Sequence, residues 1–107
     1  MKVVACNNGS PDNRTGAGYG IRLEPKDRDR YFKRNESSVI IELENGNLVK
    51  VKLSDSFWRD CVELRSPKIG KWMLGVGLAP WSINSHGPPN LRLEPGDKRK
   101  WKFRLTS

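Results

Sequence analysis

Residues 39–53 (VIIELENGNLVKVKL) constrain this chain more than any other stretch. Two β-branched, alternating runs flank Asn45 and Gly46, the strongest short-range signal for a β-hairpin. A two-residue turn there sets Ile41 opposite Lys50 and Val39 opposite Lys52, which mixes the two faces. A three-residue loop over residues 45–47 instead pairs Leu43 with Val49, Ile41 with Val51 and Val39 with Leu53. It also sets Glu42 opposite Lys50 on the outer face, an opposite-charge cross-strand pair. The sequence therefore predicts the three-residue loop, with Asn47 in the left-handed conformation. A hairpin with one apolar and one charged face must bury the apolar face against the rest of the chain.

The rest of the chain reads as strands and short helices around that hairpin. Residues 2–5 suit a first strand. Residues 7–20 carry no periodicity and read as a flexible N-terminal arm or loop. Their glycines match neither the dinucleotide fingerprint nor the phosphate loop. A strand resumes at residues 21–23, and Pro25 opens a short helix through Phe32. Ser54 is placed to cap a helix carrying Phe57, Cys61 and Leu64 on one face, although residues 61–64 suit a strand equally well. Ser66, Pro67 and the spacing of Ile69, Trp72, Met73 and Val76 predict a further helix that Gly77 stops. Residues 91–93 and 99–105 close the chain as strands, with Trp101, Phe103 and Leu105 on one face of the last. The segments 21–30 and 91–100 echo each other, each a strand ending in Glu-Pro before a basic stretch. The echo suits two equivalent strands of one barrel, and it suits coincidence equally well.

These elements predict a single β-dominated α+β domain over residues 1–107: a small, partly open barrel of about six or seven strands with one or two short helices. A hydrophobic content of 36% is enough to build its core. No apolar run approaches the roughly 20 residues of a membrane span, and the N-terminus lacks a signal-peptide pattern, so the expected location is cytoplasmic without membrane association.

Charge narrows the function classes. Twenty Lys and Arg against twelve Asp and Glu leave a net charge of +8, which favours a polyanionic partner. Catalysis has little to work with: Cys6, Cys61 and the only histidine, His86, offer no triad, and metal-ligand spacing is absent. No enzyme activity, metal or cofactor is expected. Basic residues gather at 22–34, 65–71 and 98–104. In the last run, which begins at Lys98, the cations Lys100, Lys102 and Arg104 alternate with Trp101 and Phe103. An edge strand with a wet lysine face explains that alternation too.

The element order resembles the DNA-binding pseudobarrels of plant hormone-response transcription factors and of restriction-enzyme effector domains. The matching parts are a polar arm, a strand ending at Pro25, a short helix and the 39–53 hairpin. A segment bearing Phe57 and Trp58 then stands where a second arm belongs. The strand at 61–65, the helix at 67–76 and two closing strands complete the match. The resemblance implies binding of double-stranded DNA, with arms gripping the major groove and Asn13, Arg14, Arg59 and Arg65 against it. The second arm is a loop in that family, whereas residues 54–64 also read as an amphipathic helix. A real helix would make Phe57 core and remove the arm. The other reading is a non-enzymatic interaction domain for an acidic protein partner, with Trp58, Trp81 and His86 as contact residues. The sequence does not specify an oligomeric state.

Overall fold

The 39–53 alternation folds as a hairpin in the computed structural model of the chain, which describes residues 1–81, 87–96 and 102–107. Among these residues the elements run β1 (Lys2–Asn7), β2 (Tyr19–Arg22), α1 (Pro25–Tyr31), β3 (Ser38–Glu42), β4 (Leu48–Lys52), α2 (Asp55–Arg59), β5 (Glu63–Arg65), α3 (Pro67–Gly75), β6 (Asn90–Pro95) and β7 (Lys102–Thr106). The seven strands form one sheet in the order β4-β3-β7-β6-β1-β2-β5. The β3–β7 pair is parallel and the other neighbours antiparallel. The free edges of β4 and β5 come back together, so the sheet is a nearly closed barrel. The fold is thus β-dominated α+β, with three short helices.

The hairpin keeps the expected faces but not the expected register. Ile41 pairs with Val49, Val39 with Val51 and Glu42 with Leu48. The loop spans residues 44–46, closed by Gly46 N–H donating to the Leu43 carbonyl and Leu43 N–H donating to that of Asn47. Gly46, at φ +88°, takes the left-handed position assigned above to Asn47. Both registers bury the same apolar set, because they differ by two residues and side chains alternate with period two. The turn decides: glycine enters that conformation without the steric cost an asparagine carries.

Inward-facing residues of every strand meet in one core, including Val3, Ile21, Ile41, Val51, Leu64, Leu93 and Leu105. Because the strand directions alternate, one end of the barrel collects the β1–β2 connection, the β3–β4 loop and α3. The other end collects α1 and α2. That second end is closed by aromatics: Phe32 stacks on Phe103 at 4.6 Å and meets Phe57 edge-on at 5.3 Å. Buried Arg28 donates from Nη1 to the Phe57 carbonyl at 3.0 Å and ties α1 to α2.

Residues 54–65 satisfy both sequence readings in turn. Ser54 caps α2 by accepting from Phe57 N–H, and Phe57 is fully buried. The helix ends at Arg59, before Cys61 and Leu64 can join its face, and β5 follows. The connection that stands in for a second arm is therefore helical, with its aromatic in the core. The echo at residues 21–30 and 91–100 has a structural counterpart, since β2 and β6 flank β1 on either side. The two glutamates of the echo have separate partners: Glu24 lies near Lys26, and Glu94 binds the N-terminal ammonium.

α3 begins as predicted, with the Ser66 hydroxyl accepting from Lys68 N–H and Pro67 in the first turn. The β1–β2 connection lies directly on this helix. A methyl group on Gly70 would strike the Gly16 carbonyl, and one on Gly16 would strike the Pro67 carbonyl and the Lys71 amide. A contact this close demands glycine on both sides. Gly75, by contrast, has open space around it. Gly70→Ala should therefore lower stability by about 1–3 kcal/mol through overpacking. Gly75→Ala should raise it by up to about 1 kcal/mol through helix propensity. Thermal melts of the two variants check the contrast, and equal shifts would show that the Gly16–Gly70 contact does not constrain the fold.

Candidate nucleic-acid interface

Alternation that points Ile21 and Leu64 into the core points Arg22, Glu63 and Arg65 outward on β2 and β5. The pairing sets Arg22 opposite Glu63 and Gly20 opposite Arg65. Glu63 sits between the two guanidinium groups. Its Oε2 accepts from Arg22 Nη2 at 2.6 Å and Nε at 3.0 Å, and its Oε1 accepts from Arg65 Nη2. The Glu63 side chain is only 6% exposed, whereas those of Arg22 and Arg65 are 63% and 42% exposed. One covered carboxylate thus holds two accessible cations in place. Burial alone would push the Glu63 carboxyl up, but hydrogen bonds from Arg22 and Cys61 and the charge of Arg65 outweigh it and hold the group below its ordinary value.

The basic face continues across β1 and β6. Lys2 and Arg92 stand directly opposite each other on the outer side, both exposed. Like charges in that position cost stability. Lys2 and Arg22 also line a depression of about 360 Å³ with Val4, Asn90 and the acidic Glu24. Sequence reasoning missed Lys2, Glu63 and Arg92, and met Arg22 only as the start of a charge run. The signal available was their polar position in alternating strands, but it becomes a face only once β6, β1, β2 and β5 are known to be neighbours.

Two connections flank this face at opposite ends of the short β2–β5 pair. The 8–18 connection is shaped by Asp12, whose Oδ1 accepts from the backbone N–H groups of Arg14 and Thr15. These bonds, the Arg14 amide first, hold the Asp12 carboxyl below its ordinary value. Arg14 is exposed at the loop surface, and Asn13 accepts from the Tyr19 hydroxyl at 2.5 Å. At the other end α2 presents exposed Arg59. Arg65 thus lies on β5, Asn13 and Arg14 on the connection at one end of the barrel, and Arg59 on α2 at the other.

The remaining predicted residues go elsewhere. Lys102 and Arg104 lie on β7, with β6 and β1 between them and β2. Both bind Glu42, at 2.7 Å and 3.1 Å, so a second cluster of one carboxylate and two cations stands on β3 and β7, apart from the one at Glu63. Lys98, Lys100 and His86 lie outside the described residues. Trp58 is half-buried, edge-on to Phe57 and covered by the Arg34 guanidinium at 5.1 Å. Trp81, also half-buried, meets Tyr19 edge-on at 5.6 Å.

The two cysteines border the Arg22–Glu63–Arg65 cluster. Burial, with help from Glu63, pushes the Cys6 thiol up to about 11. Burial and a hydrogen bond to Glu63 at 3.3 Å raise that of Cys61. Both are thiols at neutral pH and poor nucleophiles. Among the described residues no cluster of His, Cys, Asp or Glu could hold a metal ion, and no helix is long and apolar enough to cross a membrane. In comparisons with known proteins, no family model, curated protein or solved structure matches the chain.

The lowered Glu63 pKa carries a stability consequence of defined sign. A carboxyl depressed on folding contributes above its unfolded value, here 4.5, and the contribution fades as pH falls through the folded value. Glu63→Gln should therefore cost about 1 kcal/mol at pH 7. The gap to wild type should close in acid below the unfolded value. Urea unfolding of both proteins at neutral and acidic pH measures it, and a gap that persists in acid would mean that the charge is not its source.

Proposed function

We propose that this domain binds double-stranded DNA across the outer face of β6, β1, β2 and β5. Arg22, Arg65, Lys2 and Arg92 take backbone phosphates, and the 8–18 connection reaches base edges with Asn13 and Arg14. Arg59 adds a phosphate contact from the opposite end. The observation that carries the reading is the Glu63 clamp. It fixes two accessible guanidinium groups on an open sheet face, in the planar fork geometry that suits phosphate oxygens. The Lys2–Arg92 pair, with no carboxylate partner for either among the described residues, supports it, because an arrangement that costs the isolated fold gains a purpose once a polyanion lies across it. The element order resembles that of the DNA-binding pseudobarrels except at the second arm, where this chain has α2, and the remaining resemblance supports the same partner.

Phosphate contacts and base contacts separate by experiment. Arg22→Ala and Arg65→Ala should weaken binding to specific and random duplexes alike, each lowering the salt slope by about one unit. Arg14→Ala should cost about 1–3 kcal/mol and act selectively on the preferred sequence. Arg104→Ala, on β7 outside the proposed face, should bind as wild type does. Isotherms over a salt series, with melts as folding controls, give the readout. Absence of retention on duplex DNA at low salt, or wild-type affinity in an Arg22/Arg65 double alanine variant, would overturn the reading.

A further inference from the structure

Away from the basic face, a groove of about 630 Å³ lies between α3 and the β3–β4 loop. Leu48 and Val76, the large apolar side chains left exposed among the described residues at 55% and 56%, both line it. Scattered exposed apolar residues are ordinary, but their convergence in one depression is not. Leu48 also breaks the pattern of its own strand, since the next outward positions on β4 are Lys50 and Lys52. Trp72 lines the groove at 5% exposure, and its Nε1 is a buried side-chain donor without a partner among the described residues.

The groove also carries charge of one sign. Lys68 and Lys71 line it from α3, and neither has a carboxylate partner among the described residues. The acid opposite Leu48 on the hairpin, Glu42, is already bound to Lys102 and Arg104. We propose that this groove docks a short acidic, apolar peptide segment of a partner protein. Leu48 and Val76 would receive its apolar side chains, and Lys68 and Lys71 its carboxylates. A second copy of this chain is a poor occupant, because it brings a like net charge of +8. Nucleic acid is a poor one too, because phosphates gain nothing from Leu48, Val76 and the Trp72 ring. The site is separate from the β2–β5 face and does not depend on DNA binding.

Gly75 supplies a clean test, because it lines the groove with open space where a side chain would stand. The probe is a fluorescein-labelled synthetic peptide combining Asp and Glu with Leu and Phe. One control carries Lys for every acid, and another carries Ser for every Leu and Phe. Fluorescence anisotropy should show saturable binding of the probe and of neither control. Gly75→Met, which fills the groove, Val76→Asp, and Lys68→Glu with Lys71→Glu should each weaken binding by about tenfold or more. Arg22→Ala should not change it, and melts should show all variants folded. The proposal fails if the probe does not bind, if the serine control binds equally well, or if Gly75→Met and Val76→Asp bind as wild type. Displacement of the probe by duplex DNA would also overturn it, by making the groove part of one polyanion surface.

Discussion

The barrel depends on where its last strand goes. β7 lies between β3 and β6, parallel to one and antiparallel to the other, with Ile41 beside Phe103 and Leu93 beside Leu105. Without β7 the β3–β4 hairpin would keep only its edge approach to β5, and its apolar face would lack a floor. The pairing joins residues some sixty positions apart, so its chain-closure entropy is recovered only when both faces of the join are buried. Phe103 supplies much of that recovery. It stacks on Phe32, which brings α1 and then α2 over the same end of the barrel. A strand and an aromatic stack thus fix the sheet order together, and the sheet order decides which surface residues become neighbours.

That dependence explains how much of the molecule the sequence reveals. Period-two alternation is local, so each strand's inner and outer residues could be read directly, and the barrel class with them. Caps are local too, and Ser54, Ser66 and Pro67 mark their helices where the structure has them. The hairpin register was not legible from faces, because a two-residue slip leaves every side chain on its own side. Only the preference of Gly46 for positive φ separates the two pairings. The close approach of Gly16 to Gly70 was equally hidden, since it joins a loop without periodicity to a helix far along the chain.

Charge behaves in the same way. A run of cations along the sequence is not a basic face, because alternate residues of a strand point apart and neighbouring strands come from distant segments. Lys102 and Arg104 belong to the densest run, yet the sheet brings them to Glu42. Arg22 and Arg65, by contrast, are far apart in sequence and share one carboxylate. Asn13 and Arg14 stand out by residue type in a polar loop, and the structure adds the Asp12 turn that shapes the backbone there.

α3 shows how one short helix serves several surfaces at once. Ile69 and Met73 enter the core, Gly70 receives the β1–β2 connection, and Lys68, Lys71 and Val76 border the groove. Two glycines in nine residues weaken its intrinsic propensity, so packing must hold it. Gly70 is required by the backbone that crosses it. Gly75 meets no such neighbour, and helix propensity alone would favour almost any other residue there. Its small size leaves room beside Trp72 and Val76, so the weakest position of the helix is also the one that keeps the groove open.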